Sequence, residues 1–70
     1  MSMEYRIDVK GVILNGKYRN WSILIQNDSE STGGYLILIN NKDVGFDDWV
    51  KNKDDISKYL HESEMEIKWD

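Results

Sequence analysis

Few side chains in this sequence are of types that do chemistry, and their spacing limits them further. His61 is the only histidine, and there is no cysteine. It falls near the end of a helical stretch, where an imidazole is exposed and a cation is favoured by the helix dipole. No serine lies in a G-x-S-x-G elbow or beside a plausible base. Two carboxylate pairs remain, Asp47-Asp48 and Asp54-Asp55. Neighbouring residues on a helix point about 100° apart, so neither pair converges on one atom. Acids early in a helical turn are more simply read as stabilising the dipole. These residue types argue against an enzyme.

Cofactor chemistry fares no better. The acidic stretch lacks the D-x-[DN]-x-[DN]-G-x₅-E spacing of a calcium loop, and Asp28, Ser29 and Glu30 read as a solvated loop. Gly33-Gly34 precedes a strand rather than a helix N-terminus, so no phosphate cradle is indicated. No cofactor and no metal are expected. Single-stranded nucleic acid is a more serious alternative. Tyr5, Tyr18, Trp21 and Tyr35 lie on strand-like segments beside Arg6, Lys10, Lys17 and Arg19, and aromatics on a basic sheet stack bases. Yet Tyr5, Trp21 and Tyr35 share the parity of the expected core, and RRM and cold-shock motifs are absent. Core aromatics are the better reading.

The charge agrees. The net charge is −4, and it is unevenly placed. Residues 1–42 carry four acids and five bases, a balance of +1, whereas residues 43–70 carry nine acids and four bases, a balance of −5. An acidic half disfavours nucleic acid and suits a basic partner, although a small domain also carries such a charge for solubility. No signal-peptide pattern or long apolar run is present, so neither export nor a membrane span is expected, and a cysteine-free chain suits the cytoplasm.

Seventy residues make a single domain over 1–70. A chain this short buries only about 60% of its unfolded surface and needs additional support. Without cysteine that support must come from self-association or aromatic packing, and three Trp, four Tyr and one Phe favour the second.

The pattern along the chain predicts an α+β fold, a small antiparallel sheet in the order β-β-β-α-β with one helix on one face. Met3, Tyr5, Ile7 and Val9 alternate with charged residues and predict a strand; Gly11 then suggests a bulge before Val12-Ile13-Leu14. Asn15-Gly16 predicts a two-residue type I′ hairpin, with a return strand from about Lys17 to Gln26. Residues 27–34 form a polar loop, and Tyr35–Ile39 is apolar on both faces, as in a strand that is central or covered on both sides. Phe46, Trp49 and Val50, then Ile56, Tyr59 and Leu60, fall at i, i+3, i+4 and predict a helix over 46–60 with Phe46, Trp49, Tyr59 and Leu60 as core anchors. Asn52-x-x-Asp55 has the form of an N-cap, so the helix is open to a break there, with one piece from Phe46 to Lys51 and a second from Lys53 to His61. Met65, Ile67 and Trp69 close the chain as a strand.

One helix cannot cover two apolar sheet faces. Leu24, Leu36 and Leu38, with Val12 or Leu14, should therefore lie on an open face, where a contiguous apolar patch marks a partner or a dimer contact.

Four segments, Gly33-Gly34-Tyr35-Leu36-Ile37-Leu38, Phe46-Asp47-Asp48-Trp49-Val50, Asp55-x-x-x-Tyr59-Leu60 and Ile67-Lys68-Trp69, together resemble small bacterial proteins that include immunity proteins of polymorphic or contact-delivered toxins. The resemblance covers the second half of the chain and carries over no functional residue. It implies an acidic, non-catalytic protein that blocks a toxin by direct contact. The expected function is thus a non-catalytic protein-binding module that occludes a partner sterically and electrostatically. Its contact residues would be an acidic helix side (Asp47, Asp48, Asp54, Asp55, Glu62) or the open sheet face (Leu24, Leu36, Leu38). Self-association through that face is the alternative.

Overall fold

A computed structural model describes residues 5–70. Its elements are β1 (Lys10–Ile13), β2 (Ser22–Asp28), β3 (Gly34–Asn40), β4 (Gly45–Val50), α1 (Lys53–Ser63) and β5 (Ile67–Trp69). The strands form one antiparallel sheet in the order β4-β3-β2-β1-β5, with α1 against one face. The fold is α+β, as the patterning predicts.

The core is nearly all isoleucine. Ile13, Ile23, Ile25, Ile37 and Ile39 project from one face of the three central strands and meet Ile56 and Leu60 of α1; all seven are fully buried. Each such aliphatic side chain contributes about 1.5–3 kcal/mol relative to an exposed one. The odd-numbered parity expected for the covered face therefore holds through β1, β2 and β3.

The segment expected to begin the helix is instead a fourth strand. Residues 45–50 pair with β3 over six positions, from Asn40↔Gly45 to Tyr35↔Val50. Phe46 and Val50 face the helix side, whereas Trp49, directly opposite Leu36, faces away and is 48% exposed. Trp49 is thus no core anchor, and neither is Phe46, which is 38% exposed and outside the core cluster. Three apolar residues at 46, 49 and 50 satisfy a helical stripe and a strand almost equally, and the tertiary context decides. Tyr35–Ile39, apolar on both faces, needs a hydrogen-bonded neighbour on each side, and β4 supplies the second.

The helix proper begins at the Asn52 signal. The Asn52 side chain accepts the Asp55 N–H at 2.9 Å, Asp54 and Asp55 occupy the first turn, and Glu64 in the left-handed region ends the helix.

The amino-terminal half departs from expectation at three points. Regular pairing begins only at Lys10. Asp8 adopts φ 62°, and Ile7 makes a single parallel bridge to Ile25, so the chain reverses where a continuous strand was expected. Met3 of that expected strand lies outside the described residues. Gly11 is not a bulge, since it pairs regularly with Ile23 and Trp69. A Cβ there would lie 2.8 Å from both Ile67 and the Trp69 ring, so the position requires glycine for close approach. The bulge lies on the other arm of the hairpin. Ile13 accepts from Asn20 N–H and donates to Trp21 O, and Asn20 has φ 72°. The connection is correspondingly longer than two residues, and β2 starts at Ser22 rather than near Lys17. Asn15 is used elsewhere. Its Nδ2 donates to Glu64 O at 3.0 Å and its Oδ1 accepts from Glu66 N–H at 2.8 Å, which ties the hairpin to the link between α1 and β5. That link delivers β5 to the free edge of β1.

Two substitutions test these supports by chemical denaturation. Asn52→Ala is expected to cost about 1 kcal/mol through the lost cap. Gly34→Ala is expected to cost about 1–3 kcal/mol. The Cβ it adds would collide with Val50 O and would lie 2.6 Å from the Trp49 ring, forcing β4 away from β3. An unchanged midpoint for Gly34→Ala would contradict the pairing of these strands.

Candidate functional site

The acidic residues do not form one surface. Asp54 and Asp55 lie in the first turn of α1 and Glu62 near its end, whereas Asp47 and Asp48 lie on β4 and point to opposite faces. The expected acidic helix side is therefore divided because β4 is a strand, with its side chains alternating across the sheet. Asp48, opposite Ile37, faces the helix side, and its Oδ2 accepts from the Tyr59 hydroxyl at 2.7 Å. Burial first, and then the hydrogen bond and charge of Asp48, hold the Tyr59 phenol well above its ordinary range. Asp48 thus ties the helix to the edge strand. Asp47, opposite Leu38, faces the open side.

The aromatics weighed for base stacking lie on the helix side. Tyr5, Tyr18, Trp21 and Tyr35 all pack against the isoleucine core. Tyr18 meets Trp21 edge-on at 4.9 Å between ring centroids and Phe46 at 5.2 Å. Their faces are engaged with one another rather than displayed. A cleft of about 470 Å³ lies beside them, lined by Lys17, Tyr18, Phe46, Asp48 and Tyr59 among others. Its lining includes the hydrogen-bonded pair of Asp48 and Tyr59, and His61 is exposed in the last turn of α1. Among the described residues, no group of three or more His, Asp or Glu side chains converges to hold a metal, and no helix is long and apolar enough to cross a membrane.

The remaining feature is the sheet face away from α1. The register places Leu24 directly opposite Leu38, and Leu36 directly opposite Trp49. Leu36 and Leu38 are successive side chains on the same face of β3, and Val12 lies diagonally beyond Leu24 on β1. The result is one apolar stripe from Trp49 through Leu36, Leu38 and Leu24 to Val12. None of these five belongs to the core cluster. The leucines are half-buried by their neighbours, and Val12 is 37% exposed. Sequence reasoning placed the three leucines here but missed Trp49, having assigned it to a helix. The signal that could have found it is again the double-faced apolarity of β3.

Trp49 is held in place. Its Nε1 donates to Thr32 Oγ1 at 2.8 Å, and its ring lies over Gly34. A fixed, partly exposed indole beside three leucines is an arrangement suited to contact: a large apolar area at little cost in side-chain entropy. Charged residues border the stripe. Asp47 lies beside Leu38 and Lys10 beside Leu24.

No family model, curated protein or solved structure matches the chain. The functional reading therefore rests on this geometry.

The Tyr59–Asp48 contact has a measurable consequence. A phenol whose folded pKa is raised favours the neutral form, so its contribution is complete below the ordinary tyrosine value of about 10 and is lost as pH rises beyond it. In a near-ultraviolet absorbance titration, Tyr59 should give a phase above the ordinary tyrosine range. That late phase should be missing in Tyr59→Phe, which should also lose about 1 kcal/mol of stability at neutral pH. A titration unchanged by Tyr59→Phe above that range would contradict the contact.

Proposed function

We propose that this chain is a non-catalytic protein-binding module whose contact surface is the open sheet face. The observation that carries this reading is the uninterrupted stripe of Trp49, Leu36, Leu38, Leu24 and Val12 on a sheet with a helix on its other side only. The molecule measures 32 × 30 × 20 Å, and 20 Å is the thickness of one sheet and one helix layer, at about 10 Å each. Contiguous apolar surface on a soluble domain marks an interaction site, and here its centre holds no charge while its borders do, the arrangement of an interface core and rim.

The immunity-type inhibitor implied by the resemblance is the narrower form of this reading, in which the partner is a basic toxin. The chain's net charge of −4 supports it by favouring encounter with a basic surface. In that form the acidic residues of α1 steer association and the sheet face supplies the contact.

The test is partner capture from the source cell with the tagged chain and two variants. Leu36→Asp with Leu38→Asp should abolish capture. Asp54→Asn, Asp55→Asn and Glu62→Gln together should leave the bound complex intact while slowing association and flattening its salt dependence. Capture indifferent to the leucine changes would overturn the open face as the contact surface.

A further inference from the structure

We infer that the occupant of the open sheet face is a second copy of this chain, packed face to face about a two-fold axis that runs parallel to the strands between β2 and β3. The inference rests on the protein-binding reading above and names its partner.

The side-chain row at the centre of the face carries it. Across β4, β3, β2 and β1 the register aligns Asp47, Leu38, Leu24 and Lys10 in one line. The order is negative, apolar, apolar, positive. A two-fold rotation about an axis along the strands reverses such a row. It sets Leu38 on Leu24 of the other copy and Asp47 on Lys10 of the other copy, and it does so twice. The row is therefore complementary to itself, which is what a symmetric interface demands of a single surface. Of the two adjacent rows, one keeps polar against polar, since Asn40 and Ser22, also directly opposite one another, exchange places, whereas the other sets Leu36 on Gln26 of the other copy. Sheets that pack face to face cross at about −30°, so Leu24 and Leu38, on the strands beside the axis, stay closest to register while Asp47 and Lys10, on the strands farther out, are offset along it.

Pairing through the free edge of β4 is the less favourable route to a dimer. A two-fold pairing centred on Asp47 and Asp48 would oppose like charges along that edge.

Within one chain Asp47 and Lys10 are three strand spacings apart, about 14 Å. Residues that far apart act independently unless a second molecule brings them together. This separation makes charge exchange diagnostic. Sedimentation equilibrium at roughly 100 µM, well above a micromolar Kd, should show a dimer. Leu38→Asp should be a monomer with an unchanged circular dichroism spectrum. Asp47→Lys alone and Lys10→Asp alone should each weaken the dimer about tenfold or more, because each sets like charges together at both ends of the row. An equal mixture of these two single variants should dimerise again, since each then supplies the charge the other lacks. A monomeric wild-type chain overturns the inference, as does a mixture no tighter than its components. A wild-type monomer whose partner capture is still abolished by Leu38→Asp would overturn the dimer alone and leave the open-face reading intact. A wild-type dimer unaffected by Leu38→Asp would overturn both.

Discussion

The structure depends on an imbalance between a sheet with two apolar faces and a single helix to cover them. β2 and β3 are the most extensively paired strands, and both present aliphatic side chains in both directions. The isoleucines take the face under α1 and are removed from water completely. The leucines are left on the other. A helix of eleven residues can seal only one side of five strands. The domain therefore folds around one core and leaves a second apolar face uncovered.

The edges of the sheet are secured by a recurring device. Each edge strand carries a tryptophan whose ring lies over a glycine of the adjacent strand. Trp69 of β5 covers Gly11 on the helix side, and Trp49 of β4 covers Gly34 on the open side. In both places a Cβ would collide with the ring. Two of the three tryptophans of this cysteine-free chain thus stand on the outer strands, which have one neighbour each. The same device gives the open face its one rigid aromatic. Asp48 adds a further tie, since its bond to the Tyr59 hydroxyl links the helix to the outermost strand.

Much of this was legible in the sequence, for physical reasons that differ by segment. The patterns in 22–26 and 35–39 and the leucine–isoleucine division of faces are period-two signals that specify register because a one-residue slip would exchange the faces, whereas Asn27, Asp28 and Gly34, expected in a polar loop, are in the strands. Asn52-x-x-Asp55 marked the true helix start because a cap is a local hydrogen-bond requirement. The failures come where a local signal was overridden from a distance. Asn15-Gly16 favours a two-residue turn, yet the Asn15 side chain bonds Glu64 and Glu66 instead. Phe46-x-x-Trp49-Val50 fits a helix until β3 demands a second neighbour. That one misassignment placed Trp49 in the core, and it gathered onto one helix acids that occupy a strand and a helix. The leucine half of the candidate site was visible in advance, whereas Trp49 and the Asp47–Lys10 border needed the register.

The central claim is that Leu24 and Leu38 on the open face meet their counterparts on another copy. An isotope-filtered NOE experiment on an equal mixture of labelled and unlabelled chain tests it most directly. Contacts between copies are expected from the Leu24 methyl groups to those of Leu38, with both protected from a soluble paramagnetic agent. Absence of contacts between copies, with the leucine methyls of the open face attenuated like any exposed group, would contradict it.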